Sequence, residues 1–297
     1  MFQKYFKRQE ADDKTTETNI NSTNSYLKFA DDPEKAWSVV GSSQVFKEVK
    51  VACNEPKQEG HVRVVCISDT HNVPMLGTLE NIPQGDILIH AGDFTKRGKI
   101  HEVEKFNKFL GSFDHPHKVV IAGNHDIGFH EESAQRLHHL NFVPEAEVKA
   151  VLTDCTYLQD SEVEILGLRI YGSPWTPVFY DWAFLKHRGD AINEIWKKIP
   201  KDVDILVTHG PPLGRGDVVN FGKTHAGCAN LLDIVQNYVK PRYHIFGHIH
   251  EGYGCSSDGR TTFINASTCN HLYRPVNQPV VFDIEVNDRT LKNDDSE

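Results

Sequence analysis

The chain has no long hydrophobic run. Across its 297 residues nothing approaches the roughly 18–20 apolar residues that span a bilayer, which excludes a membrane-embedded class. Met1 to Lys14 is charged and has no apolar stretch, so no secretory leader is expected. Phe2 and the terminal Asp-Asp-Ser-Glu exclude the N-myristoylation and prenylation patterns. No two of Cys53, Cys66, Cys155, Cys228, Cys255 and Cys269 have C-x-x-C spacing, so a redox pair is not expected. These absences predict a cytoplasmic chain with free thiols. Asn21-Ser-Thr23 and Asn265-Ala-Ser267 are then chance matches to the glycosylation pattern. Excess positive charge is lacking too. A net charge of −9 argues against a nucleic-acid polymer or an anionic membrane as partner. It leaves a small phosphate substrate open, because bound divalent cations reverse the local sign.

What remains is a soluble globular composition, 39% hydrophobic and 25% charged. Residues 1–26 are polar and aperiodic and are expected to be disordered. Residues 27–59 read as a partly ordered lead-in. The main folded domain is expected over 60–287, followed by an acidic tail, 288–297. Short apolar runs then alternate with helical spacing. Val62–Ile67, Asp86–His90, Lys118–Ala122, Asp204–Thr208 and Tyr243–Phe246 read as buried strands. Val103–Phe113, Glu131–Leu140, Pro144–Val151, Ala191–Lys198 and Gly227–Tyr238 read as helices. Thr156–Tyr171 reads as an antiparallel hairpin turning near Gly167, and Thr261–Ile264 and Val280–Val286 as closing strands. The pattern predicts an α/β protein with two mixed sheets and helices outside.

Polar residues follow five of these strands. Asp69-Thr-His71 follows the first and Gly92-Asp93 the second. Gly123-Asn124-His125-Asp126 follows the third, His209-Gly-Pro-Pro212 the fourth, and Gly247-His248-Ile-His250 the fifth. The C-terminal edge of a parallel sheet is where α/β proteins bind ligands. Mixed oxygen and imidazole donors suit Mn, Fe, Zn or Co better than Ca or Mg. No single motif is decisive. Asp-x-His and His-x-His are each expected about once by chance, and a lone Asp or Asn after a strand is usually a turn or cap residue. His115-Pro-His117 is such a chance match, since it precedes its strand and falls at the opposite edge. The order of five motifs, each behind a buried strand, carries the reading.

D-x-H, G-D, G-N-H-D, a later His and G-H-x-H resemble the signature of the calcineurin-like metallophosphoesterases. "VCISDTH", "GDILIHAGDFT", "VIAGNHD", "RIYGSPWTP", "ILVTHGPPLG", "FGHIHEGYG" and "FINASTC" resemble the fetal-brain type, the metallophosphoesterase-domain-containing class III phosphodiesterases, from about Gly60 to Ile284. The resemblance implies a four-layer α/β/β/α sandwich with a dinuclear site, typically manganese. It places Asp69, His71 and His250 on one metal and Asn124, His209 and His248 on the other, with Asp93 bridging. His125 would contact the scissile phosphate and Asp126 would orient it. The implied substrates are small phosphodiesters, including cyclic nucleotides such as cAMP, cGMP or 2′,3′-cyclic forms.

Two metals bridged by one carboxylate can activate a shared water for in-line attack. His125 is the candidate general acid for the leaving alkoxide. Within the aromatic stretch from Tyr171 to Phe184, Trp175 is the candidate to stack on a nucleobase, although a satellite core is equally expected there. Arg215 is either a phosphate contact or a solvated side chain. Two competing readings are a phosphomonoesterase or protein phosphatase with the same metal core, and a metal-binding scaffold without turnover. Oligomeric state is not legible in the sequence.

Overall fold

The computed structural model describes residues 25–50, 56–73, 82–219 and 221–286. The expected disordered segment, apart from Ser25 and Tyr26, and the acidic tail lie outside them. A 3-10 turn, Ser25–Phe29, leads into helix Pro33–Val40 (α1) and strand Lys47–Val49 (β1). Strands His61–Ile67 (β2), Ile87–Ala91 (β3), His117–Ile121 (β4) and Thr156–Leu158 (β5) follow, interspersed with helices Ile100–Gly111 (α2), Glu131–Arg136 (α3) and Glu145–Ala150 (α4). Then come the hairpin Ser161–Ile165 (β6) and Leu168–Ser173 (β7), and a small ribbon of Thr176–Pro177 (β8) and Leu185–Lys186 (β9). Helix Asp190–Trp196 (α5), strand Ile205–Thr208 (β10) and a second ribbon, Val218–Val219 (β11) with Thr224–His225 (β12), are next. Helix Ala229–Asp233 (α6) continues as a π-helical turn to Val239. Tyr243–Phe246 (β13), Gly254–Ser257 (β14), Thr262–Asn265 (β15) and Val280–Glu285 (β16) are the last strands described.

The strands form two mixed sheets. One has the order β16-β2-β3-β4-β5, antiparallel only at β16. The other has the order β1-β14-β15-β13-β10-β7-β6, parallel from β15 to β7 and antiparallel at its edges. Residue alternation explains why they stack. In β2, β3, β4, β10 and β13 one face contributes Val64, Cys66, Ile87, Ile89, Val119, Ile121, Ile205, Val207 and Ile245 to a single buried layer between the sheets. The opposite faces, with Val65, Leu88, Val120, Leu206 and Phe246, join helix residues such as Val103, Phe106, Leu110, Ile192, Trp196 and Leu231. A strand apolar on both faces is what a central, doubly covered sheet requires. These are the two mixed sheets with helices outside that the sequence pattern predicts.

Two segments differ from the sequence reading. Thr156–Leu158 is not part of the hairpin. It pairs parallel with β4 in the other sheet, so the chain changes sheets at Gln159 and Asp160. The hairpin proper turns at Leu166-Gly167, both with φ > 0, the geometry of a two-residue primed turn. The second difference is the lead-in. α1 buries only Ala36 and Val40, too little for a periodic signal, yet it packs with Tyr26 against Leu213, Ala229 and Leu232. β1 adds an edge strand to β14. Asn265, read as a chance match to the glycosylation pattern, is 1% exposed and its amide donates to the Gly216 and Ile249 carbonyls, which agrees with that reading.

Candidate metal and phosphate centre

The five motif-bearing strands run parallel to one another within their sheets, β2, β3 and β4 in one and β10 and β13 in the other, and their C-terminal ends meet at one cleft. Asp69, His71, Asp93, Asn124, His209, His248 and His250 converge there. The ligating atoms of Asp69, His71 and His250 lie within 4.8 Å of one another, as do those of Asp93, His209 and His248, and those of His71, Asp93 and His125. Asp93 belongs to two of these groups. Its Oδ2 lies 3.3 Å from His209 Nε2 and 3.9 Å from His71 Nε2. His250 Nε2 lies 3.4 Å from Asp69 Oδ1 and 3.3 Å from His71 Nε2. His209 Nε2 is 2.9 Å from Asn124 Oδ1.

The backbone is bent sharply to achieve this. Asp69, His71, Asp93 and His248 all have φ between 44° and 67°. Non-glycine residues rarely adopt that region, and such strain gathers at ligand sites. Gly247 shows why a glycine precedes His248: a Cβ there would collide with the Asp69 carboxylate.

Outer hydrogen bonds aim the rings. His209 Nδ1 donates to the Ala91 carbonyl, His250 Nδ1 to Asn270 and His125 Nδ1 to Lys96, each at 3.0 Å. A carbonyl only accepts, so Nδ1 carries the proton and Nε2 faces the cleft. This is the usual support for a metal-binding imidazole. Asp69 is held by the His248 backbone N–H and by the Ser267 hydroxyl at 2.8 Å. His125 N–H donates to Asp93 Oδ1 at 2.7 Å.

The electrostatics also fit cations. Burial disfavours the charged form of Asp69, yet the His250 hydrogen bond and charge outweigh it and hold this carboxyl below the ordinary range. Asp93 is likewise lowered against burial, mainly by His209. Burial brings His71 down to about 4 and His248 to about 3, leaving neutral imidazoles of the kind metals require. His209 rises to about 9, because Asp93 overcomes the burial that opposes its charge. Two fully buried carboxylates ringed by imidazole nitrogens suit divalent ions, and the donor set suits Mn, Fe, Zn or Co.

Three expectations fail at this site. Asp126 does not touch the His125 ring in any described bond. Its carboxylate accepts from the Asp93, Gly123 and Thr95 N–H groups and from the Thr95 hydroxyl. It braces the turns that carry Asp93 and Asn124, with burial and Asp93 raising its pKa to about 8. A carboxylate adjacent in sequence to a histidine at such a tight turn points the other way. Trp175 is not a cleft wall. It is 8% exposed, donates to Asp160 Oδ2 and lies edge-on to Phe184, which is the satellite-core alternative. Arg215 is neither solvated nor a phosphate contact: it is buried, bonded to Gln44 and set over the Phe263 ring.

The sequence reading missed the residues that do form the walls. The cleft holds about 440 Å³ and is lined by Val178, Phe179, Tyr180 and Tyr273 beside the converging histidines. Phe179 meets His248, and Tyr273 meets His71 and His250. Trp182 stacks on His125. Phe179, Tyr180 and Trp182 stood in the aromatic stretch already singled out, but periodicity does not say which rings of an irregular loop turn outward. Ser267 lay in an unassigned motif. His90 is a buried neighbour, bonded to the Thr70 hydroxyl. His115 meets the Pro83 carbonyl and His117 opens β4, both away from the cleft.

Comparison with known proteins places this geometry. A family model described as calcineurin-like phosphoesterase matches residues 62–252. The chain is 50% identical over 242 residues to the human "Metallophosphoesterase domain-containing protein 1", covering 77% of this chain and 73% of that one. It is 44% identical over 260 residues to the Caenorhabditis elegans "UPF0046 protein C25E10.12", covering 85% and 92%. One solved structure aligns with a TM-score of 0.54 at 17% identity, over 76% of this chain and all of that one, which shows the shared fold. Among the described residues no helix is long and apolar enough to cross a membrane.

Proposed function

This chain belongs to the calcineurin-like phosphoesterase family, and from that premise we propose that it is a dinuclear, manganese-dependent phosphodiesterase acting on small phosphodiesters such as cyclic nucleotides. Asp69, His71 and His250 would hold one ion, Asn124, His209 and His248 the other, with Asp93 between them. When bound, the two ions supply Lewis acidity, activating water and neutralising charge on the phosphoryl oxygens. His125 presents Nε2 to the cleft, with Nδ1 fixed on Lys96, and would donate the proton that the leaving oxygen requires.

The composition of the wall favours a diester over a monoester. Among the described lining residues, Arg188 is the only Lys or Arg. Both of its terminal nitrogens are engaged, donating to the Gly227 and Ala226 carbonyls. A monoester dianion carries more charge than a diester and gains from free guanidinium or ammonium groups. The aromatic walls instead suit a monoanion with a flat organic substituent, and Phe179 and Tyr273 could pack on a nucleobase.

The test is the metal-stripped protein reloaded with Mn, Fe, Zn or Mg and assayed on bis-nitrophenyl phosphate and nitrophenyl phosphate, then on a cyclic-nucleotide panel. Preference for the diester by at least about tenfold in kcat/KM, roughly 1.4 kcal/mol of transition-state binding, is expected. Preference for the monoester makes it a phosphomonoesterase, and metal-loaded protein inert to both makes it a scaffold.

A further inference from the structure

We propose that Trp182 is a positioning residue for His125, with Arg97 as the outer layer of the same stack. This rests on the general-acid role given to His125 above.

An imidazole held by a single hydrogen bond can still swing about its χ2 angle, which moves Nε2 away from the reacting oxygen. Nδ1 of His125 has one partner, the Lys96 carbonyl. The second restraint is Trp182, whose ring lies 4.1 Å from the imidazole centroid at an interplanar angle of 28°. A near-parallel stack at that spacing blocks rotation of the ring on that side. His71 meets the imidazole edge-on at 4.6 Å. The Arg97 guanidinium lies 5.1 Å from the Trp182 ring, within cation–π range. Lys96 and Arg97 are consecutive, so one short segment fixes His125 twice: its carbonyl takes Nδ1, and its next side chain rests on the indole.

The backbone that carries the indole is itself anchored. The Trp182 carbonyl accepts from Arg136 Nη2 at 2.8 Å, and Arg136 Nε pairs with Asp181 at 2.6 Å. The Ala183 N–H donates to the Asn124 carbonyl at 3.0 Å. The loop bearing Trp182 is therefore tied directly to the turn bearing Asn124 and His125. Trp182 is partly buried and packs at the rim of the helix-side core, while one face of its indole lies on the His125 ring. A wandering Nε2 costs rate wherever proton delivery limits the reaction, since misplaced catalytic groups lose much of their advantage.

The experiment compares full-length, metal-loaded wild type, Trp182→Ala, Trp182→Phe, Arg97→Ala and His125→Ala on two diesters, one with an alkyl and one with a nitrophenyl leaving group. Trp182→Ala is expected to keep its metal. Its kcat should fall about tenfold or more on the alkyl ester, with KM little changed, and by less than about threefold on the nitrophenyl ester. Trp182→Phe should recover most of that loss, and Arg97→Ala should show a smaller loss of the same kind. Equal losses on both esters, or none, overturn the inference. If Trp182→Ala loses its fold or its metal, Trp182→Phe and Arg97→Ala decide, and a wild-type ester ratio in both overturns it. If His125→Ala itself shows no leaving-group dependence, the general-acid reading fails and takes this inference with it. A selective loss in His125→Ala without one in the Trp182 variants removes this inference alone.

Discussion

The two sheets meet at one cleft and bring different chemistry to it. The five-stranded sheet delivers the oxygen donors Asp69, Asp93 and Asn124, together with His71 and His125. The seven-stranded sheet delivers imidazoles alone, His209, His248 and His250. Two of the three close groupings draw on both sheets, while His71, Asp93 and His125 come from the first. The short contacts cross the interface: His250 meets Asp69, and His209 meets Asp93 and Asn124. Anionic donors on one wall and neutral or cationic rings on the other attract each other across a buried boundary, where electrostatic interactions are stronger than in water. The centre therefore exists only where the sheets dock, and the buried layer between them sets its geometry.

Removing the group shared across that boundary has the largest expected effect. Asp93→Ala should lose two-metal occupancy and turnover together, by about a thousandfold or more in kcat/KM. Metal analysis of the purified variant checks this, and full activity with two ions retained would falsify the bridging assignment. His125→Ala acts within the first sheet only. It should keep its metal and lose about 10²-fold in rate on alkyl esters, with a smaller loss on nitrophenyl esters. Steady-state kinetics with matched esters is the measurement, and an equal loss counts against proton donation.

The docking idea itself can be broken in the core. Ile205→Ala in the layer between the sheets and Leu231→Ala in the outer layer should each cost about 2–5 kcal/mol of stability. Only Ile205→Ala should also weaken metal retention, because only it loosens the register of β10 against the first sheet. Denaturation and chelator titration separate the two, and similar retention in both variants removes the link.

The smallest effect is a pH asymmetry between the halves. Asp283, held by Arg63 across β16 and β2, has its pKa lowered, chiefly by that hydrogen bond. Its contribution is present above the unfolded carboxyl value and is lost as pH falls through the folded one. His225 has its pKa raised, chiefly by its hydrogen bond to Asp217. That contribution is complete below the unfolded histidine value and fades as pH rises through the folded one. Asp283→Asn should flatten the acid limb of the stability profile and Asp217→Asn the alkaline limb. Each change should be only roughly a few tenths of a kcal/mol once solvent screening is allowed for. Unchanged limbs in melting-temperature scans would dismiss these tethers.

Much of this was legible in the sequence, for physical reasons. A strand buried on both faces has to be written as a run of Val, Ile and Leu, so β2, β3, β4, β10 and β13 stood out. Polar residues at the ends of such runs have nowhere to go but the sheet edge. α1 was not legible, because two buried small residues leave no periodic trace, and tertiary contact with Leu213 and Leu232 supplies what propensity does not. β5 was misread because Thr156–Leu158 continues the alternation of the hairpin, and register alone does not say which sheet a strand joins.

Sequence alone determined the class of chemistry: seven donor residues in five ordered motifs, each behind a strand, and a histidine beside Asn124. Tertiary structure decided which donors come together, since Asp69 and His250 are far apart in the chain and meet only across the sheet boundary. It turned Asp126 inward to brace the turns, buried Trp175 and set Trp182 against His125. Adjacency along the chain fixes which side chains leave a turn together. Where each one points is decided by the backbone dihedrals of that turn and by whatever the rest of the fold packs against it.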